Sequence, residues 1–166
     1  FKQLLDSLDC FPDLKIIFTK ANADTGGLVI NQMIEEYVND HSDKTVSVFS
    51  LGLVRYLSAL SLADAVIVNS SSGIMETPSF AVPTINIGDR QKGRFMPESV
   101  LNCGPEREAI IESIKIGISP DFRNKIKDMK NPFGNGNTSE IITMIIRSEF
   151  EKYGLINIKK HFYDMR

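Results

Sequence analysis

Four short apolar-rich runs punctuate this chain: LKIIFT at 14–19, VSVF at 46–49, AVIV at 65–68 and TINI at 84–87. Between them lie segments whose apolar residues recur at helical spacing. A strand that faces water on one side alternates polar and apolar residues, whereas a strand covered on both sides has no reason to. Runs of the second kind, each followed by a helix, predict an α/β fold: a mostly parallel sheet with helices on both faces, a three-layer domain. The residues Leu28, Ile30, Met33, Ile34, Tyr37 and Val38 define one helical stripe. Further helices are expected over 1–8, 54–62, 74–80, 106–116 and 120–129. Ser119 is the expected cap of the last of these, with Pro120 at its first position. Thr138 is the expected cap of a final helix whose apolar side carries Ile141, Ile142, Ile145 and Ile146. Residues 99–102 read as a brief strand or extended segment.

The length of 166 residues suits one domain. We assign 1–152 to it and 153–166 to a less regular tail. Apolar residues at 42% against 24% charged are enough for a real core. A net charge of −2 argues against a nucleic-acid partner. No apolar run is long enough to cross a bilayer, so no membrane partner is expected. Cys10 and Cys103 form neither a disulfide scaffold nor a metal-ligand pattern and read as reduced thiols of a cytoplasmic chain. No cofactor and no metal is indicated. His41 and His161 are isolated and receive no catalytic role. The chain opens on Phe1 inside a helical pattern, without Met, as a fragment or a processed terminus would.

The most informative local feature is AVIVNSSSGIMETPSF, residues 65–80. A buried strand ends at Val68, three serines and a glycine follow, and a helix begins. Parallel sheets gather ligands outside the carboxyl ends of their strands. The first N–H groups of a helix lack partners and its dipole favours anions. Hydroxyls of Ser70, Ser71 and Ser72 add donors, and Gly73 lets the backbone approach a ligand, so a diphosphate suits the turn. The competing reading is plain helix capping by serine with Gly73 completing a tight turn. The segment is neither a P-loop nor a GxGxxG dinucleotide motif. Glu76, early in the same helix, can accept hydrogen bonds from both ribose hydroxyls, or can simply favour the helix start.

The loop GDRQKGR at 88–94 follows the next strand and carries Arg90, Lys92 and Arg94. Three cations beside the serine turn can balance a diphosphate, with Arg94 preferred over Arg90; the alternative is a solvated charged loop. Tyr56 either stacks on a base or covers the edge of the core. The loop at 22–27 either touches the ligand or forms a turn capped by Asp24 or Thr25, and the loop at 131–137 reads first as structural.

The stretch NSSSGIMETPSFAVPTINIGDRQKGR at 69–94, together with TKANADTGG at 19–27, SLGLVRYLSAL at 50–60 and NPFGNGNTSE at 131–140, resembles the hydrolysing UDP-N-acetylglucosamine 2-epimerases. The nearest branch is the one serving sialic and legionaminic acid biosynthesis. The resemblance runs to about Glu149 and implies the C-terminal, Rossmann-like half of a two-domain GT-B fold, with an N-terminal domain lying upstream. It implies UDP or a UDP-sugar as the bound partner: Ser70 on the diphosphate with Ser71, Ser72 and Gly73 in the same turn, Glu76 on the ribose, Tyr56 near the uracil and Arg94 on phosphate. The family's reaction removes the C2 proton, expels UDP from C1 and hydrates the resulting glycal, giving the free 2-epimeric sugar. Because the acidic residues that move protons belong largely to the upstream domain, the isolated chain is expected to bind UDP weakly and to turn over nothing. A glycosyltransferase-type nucleotide-sugar domain and a non-catalytic UDP-binding module are the competing readings. The sequence leaves the C4 substituent of the sugar and a homo-oligomeric state open.

Overall fold

The four apolar-rich runs and the segment at 99–102 become five strands: β1 (Ile16–Thr19), β2 (Thr45–Val48), β3 (Val66–Val68), β4 (Thr84–Ile87) and β5 (Val100–Cys103). The helices are α1 (Lys2–Leu8), α2 (Gly27–Asp40), α3 (Gly52–Leu62), α4 (Ser72–Met75), α5 (Arg107–Ile118), α6 (Pro120–Ile126) and α7 (Thr138–Tyr153). The structure, a computed structural model, describes residues 1–22 and 25–154. Asp24, His161 and the expected tail from 155 onward lie outside the described residues.

Every described strand pairing is parallel, the pairing expected of strands that alternate with helices. The strands fall into two hydrogen-bonded groups, β1–β2 and β3–β4–β5, rather than one uninterrupted ladder. Register aligns Val68 of β3 with Asn86 of β4, and Asn86 with Asn102 of β5, so the carboxyl ends of these strands lie side by side.

Strand β4 shows why its sequence carries both isoleucines and polar residues. Ile85 is fully buried in a cluster with Leu5 and Leu8 of α1, Ile34 and Tyr37 of α2, Ile110 and Ile114 of α5, and Phe18 of β1; Ile87 packs against the same cluster. Successive strand residues point to opposite faces. Thr84 therefore looks the other way, where its hydroxyl meets that of Thr77 at 2.7 Å and its methyl would lie 3.0 Å from a Cβ on Gly73. Both faces of β4 are covered, one by helices and one by the turn after β3.

Three local expectations need correction. The helix expected over 74–80 is one α-helical turn, α4, followed by a 3-10 turn at Thr77–Phe80. Pro78 has no N–H to continue the ladder, and the segment closes at Ala81 in a left-handed conformation (φ 51°). Thr138 is the first helical residue of α7 rather than its cap; Asn137 occupies the cap position without a side-chain hydrogen bond. Gly26, with φ 88°, occupies the corresponding position before α2 and displaces Thr25 from the capping role. Ser119 does cap α6 as expected, its hydroxyl accepting the Phe122 N–H at 3.2 Å with Pro120 next to it.

The chain forms two compact units, Phe1–Asn131 and Pro132–Arg166. The division falls inside the 1–152 span assigned from sequence to one domain. The first unit holds all five strands. In the second, α7 leaves Ile141, Ile142, Ile145 and Ile146 exposed, and none of its residues is buried. Among the described residues no helix is long and apolar enough to cross a membrane.

Candidate functional site

The serine turn sits where β3 stops. Ser70, Ser71 and Ser72 are half-buried and Gly73 is buried. The Ser71 carbonyl accepts the N–H groups of Ile74 and Met75 at 3.0 Å each, and the Ser72 carbonyl accepts that of Glu76 at 2.9 Å. Ser71 occupies the position before α4, yet its side chain makes no capping hydrogen bond, so capping does not account for its hydroxyl. With only four residues in α4, a helix macrodipole contributes little; the donors the turn can offer are backbone N–H groups and serine hydroxyls.

Gly73 has a packing reason that the sequence did not reveal. A Cβ at this position would overlap Val68 Cγ2 and approach Thr84 Cγ2 at 3.0 Å. The bare α-carbon lets the turn press onto β3 and β4, so the core side by itself already demands glycine here. The turn is fastened from below by Thr77, whose buried hydroxyl donates to the Gly73 carbonyl at 2.5 Å. Asn131 holds the outer side, its Nδ2 reaching the Met75 carbonyl at 3.1 Å and Ser79 Oγ at 2.7 Å.

Three of the residues singled out from sequence come together here. Tyr56, on α3, lies near enough to Ser72 and Glu76 for both to influence its phenol. Burial is the main influence on the Tyr56 phenol and pushes its pKa up; the hydrogen bond with Ser72 pulls it down, and the charge of Glu76 and a hydrogen bond to it push it up again. Glu76 is half-buried, and its Oε2 is shielded from water without a hydrogen-bond partner among the described residues. A shielded carboxylate oxygen that lacks a donor is costly, by about 1–3 kcal/mol or more. A ligand hydroxyl is the kind of group that relieves it.

The loop after β4 reaches the same place. Arg90, Lys92 and Arg94 are exposed, while Gln91 between them is 4% exposed. Gln91 Nε2 donates to the Asn69 carbonyl at 2.9 Å, directly ahead of Ser70, and the Gln91 carbonyl accepts the Arg94 N–H at 3.2 Å. The cation loop is thereby tied to the serine turn, as their positions at neighbouring strand ends led us to expect. Sequence reasoning missed Gln91 and Asn131, because a lone amide carries no sign of what it will hold. At the end of β1, Asn31 clasps Ala21 through two hydrogen bonds of 2.7 and 3.1 Å, and Lys20 pairs with Glu35 beneath the ring of Phe49.

A family model described as UDP-N-acetylglucosamine 2-epimerase matches residues 1–147. The chain belongs to the UDP-N-acetylglucosamine 2-epimerase family. Within this epimerase family it is 48% identical over 101 residues to GDP/UDP-N,N'-diacetylbacillosamine 2-epimerase (hydrolyzing) of Campylobacter jejuni, covering 61% of this chain and 26% of that protein. It is 33% identical over 168 residues to polysialic acid biosynthesis protein P7 of Escherichia coli, covering 98% of this chain and 41% of that protein. Its fold is similar to that of the S. aureus MnaA–UDP co-structure, with TM-score 0.74, 13% identity, and coverage of 96% of this chain and 44% of the other. It is also similar to UDP-GlcNAc 2-epimerase from Neisseria meningitidis bound to UDP-GlcNAc, with TM-score 0.64, 18% identity, and coverage of 89% and 40%. The epimerase chain thus spans less than half the length of these relatives, within the α/β, Rossmann-like fold they share.

Proposed function

We propose that this chain is the UDP-binding half of a hydrolysing UDP-N-acetylglucosamine 2-epimerase with a GT-B architecture, releasing UDP and N-acetylmannosamine or the diacetyl analogue from UDP-diacetylbacillosamine. The observation that carries this reading is the convergence of Tyr56, Ser72 and Glu76 at the turn after β3, with Glu76 Oε2 shielded from water and lacking a hydrogen-bond partner among the described residues. In the proposed complex Glu76 accepts the ribose hydroxyls and Tyr56 lies against the uracil. Ser70, Ser71 and Ser72, with the N–H of Gly73, face the diphosphate, and Arg94 supplies its counter-charge.

Loss of UDP from C1 of the sugar leaves negative charge on the diphosphate. Donors that already point at it, and need not reorient as the bond breaks, stabilise that transition state more than the ground state. This is the contribution we assign to the serine turn and the 88–94 loop. The groups that take the C2 proton and deliver water are assigned to an N-terminal domain of the whole protein. The free cysteines Cys10 and Cys103 fit the cytoplasm, where we propose the enzyme works.

Calorimetric titration of the chain with UDP, UMP and ADP tests the reading. UDP is expected to bind more tightly than both, with UMP weakened by the missing phosphate and ADP by the wrong base. Equal binding of ADP and UDP, or no binding of UDP, overturns it.

A further inference from the structure

The geometry points to Gln91 as the positioning residue that sets the basic loop against the serine turn, an inference that rests on the proposed UDP site. Gln91 is the buried residue of a loop whose charged members all face solvent. Its side chain and its main chain reach two different parts of the site. Nε2 donates to the carbonyl of Asn69, the residue before Ser70, and the Gln91 carbonyl accepts the Arg94 N–H. One residue therefore fixes the distance between the serine hydroxyls and the backbone that carries Arg94. The amide orientation is dictated by its partner: the opposite assignment would turn Oε1 onto the Asn69 carbonyl, acceptor against acceptor. Oε1 itself is buried without a partner among the described residues, so the amide grips the turn through one bond. Removing the donor frees the loop while leaving every candidate ligand contact chemically intact. The loss then falls on the diphosphate and spares the nucleoside.

Gln91→Met keeps the length and approximate volume of the side chain and removes the donor; Gln91→Glu keeps the shape and places an acceptor against the Asn69 carbonyl. Both variants of the full chain are titrated with UDP and with uridine, and their urea unfolding is recorded. Positioning by Gln91 predicts that UDP affinity falls about tenfold in Gln91→Met, the size of effect expected when one buried hydrogen bond is lost. Uridine affinity is then expected to stay within about twofold of wild type. Gln91→Glu is expected to lose at least as much toward UDP. Parallel losses for UDP and uridine mean a purely structural residue and overturn the inference, as does unchanged UDP binding in Gln91→Met. Failure of the wild-type chain to bind UDP removes the site itself, a result distinct from either.

Discussion

The carboxylate of Glu76, in the turn after β3, lies near enough to the phenol of Tyr56, in the middle of α3, to push its pKa up. Neither residue is close to the other in sequence. One Glu76 oxygen is shielded from water without a hydrogen-bond partner among the described residues, an arrangement a fold tolerates at a binding site more readily than in a core.

The tight seat of the turn makes any side chain in place of Gly73 costly on packing grounds. Gly73→Ala drives a methyl group into Val68 and against Thr84. We expect a loss of about 1–3 kcal/mol in urea unfolding, the usual range for overpacking. Val68→Ala on the same chain makes room, and the double variant is expected to recover part of the loss relative to the sum of the two single changes. Wild-type stability in Gly73→Ala would show that the turn yields.

The hydroxyl pair beneath the turn is fully buried. Thr77→Val removes the donor to the Gly73 carbonyl and the partner of Thr84 Oγ1, and is expected to destabilise by about 1–3 kcal/mol. Because the penalty comes partly from the orphaned Thr84 hydroxyl, Thr77→Val combined with Thr84→Val is expected to cost less than the sum of the single substitutions. A double-variant cycle in urea measures the coupling; strict additivity would contradict it.

Away from the site, Tyr37 donates to Asp9 Oδ1 at 2.8 Å, and its ring stacks on His41 at a centroid distance of 4.1 Å. Burial pushes the Tyr37 phenol well up, and the hydrogen bond to Asp9 and the charge of Asp9 push it further. The unfolded chain releases this proton near pH 10, while the folded chain keeps it. Above that pH the unfolded state binds fewer protons, so the contribution of Tyr37 is complete below about pH 10 and is lost as pH climbs toward the folded value. Tyr37→Phe lacks the titrating group and is expected to lose stability less steeply between about pH 9 and about pH 11, measured as urea midpoints. Equal slopes for the two proteins would contradict this.

Much of the strand pattern was legible because strands covered on both faces dispense with alternation, and AVIV at 65–68 announces that in four residues. The alternation of strand and helix then placed the serine turn at a strand end beside the basic loop. The split of the segment at 72–80 was not legible, because Pro78 and the left-handed Ala81 act through backbone geometry that helical spacing ignores. The packing role of Gly73 required knowing that Val68 and Thr84 close on it from two strands. Gln91 was hidden by its neighbours: in a run of charges, composition predicts solvent, and only the approach of Asn69 from another strand end turns one member inward. The exposure of the α7 isoleucines shows the same limit, since periodicity finds an apolar face and says nothing of what covers it.

The role given to Glu76 is tested most directly by titrating UDP into wild-type chain and Glu76→Gln by calorimetry. Glutamine keeps the shape and replaces one acceptor oxygen with a donor, so a ribose bound through both hydroxyls loses a charge-assisted bond. UDP affinity is expected to fall by roughly tenfold or more, with unfolding stability retained. Undiminished UDP binding by Glu76→Gln would contradict the assignment of the ribose, and with it the orientation of the nucleotide in this site.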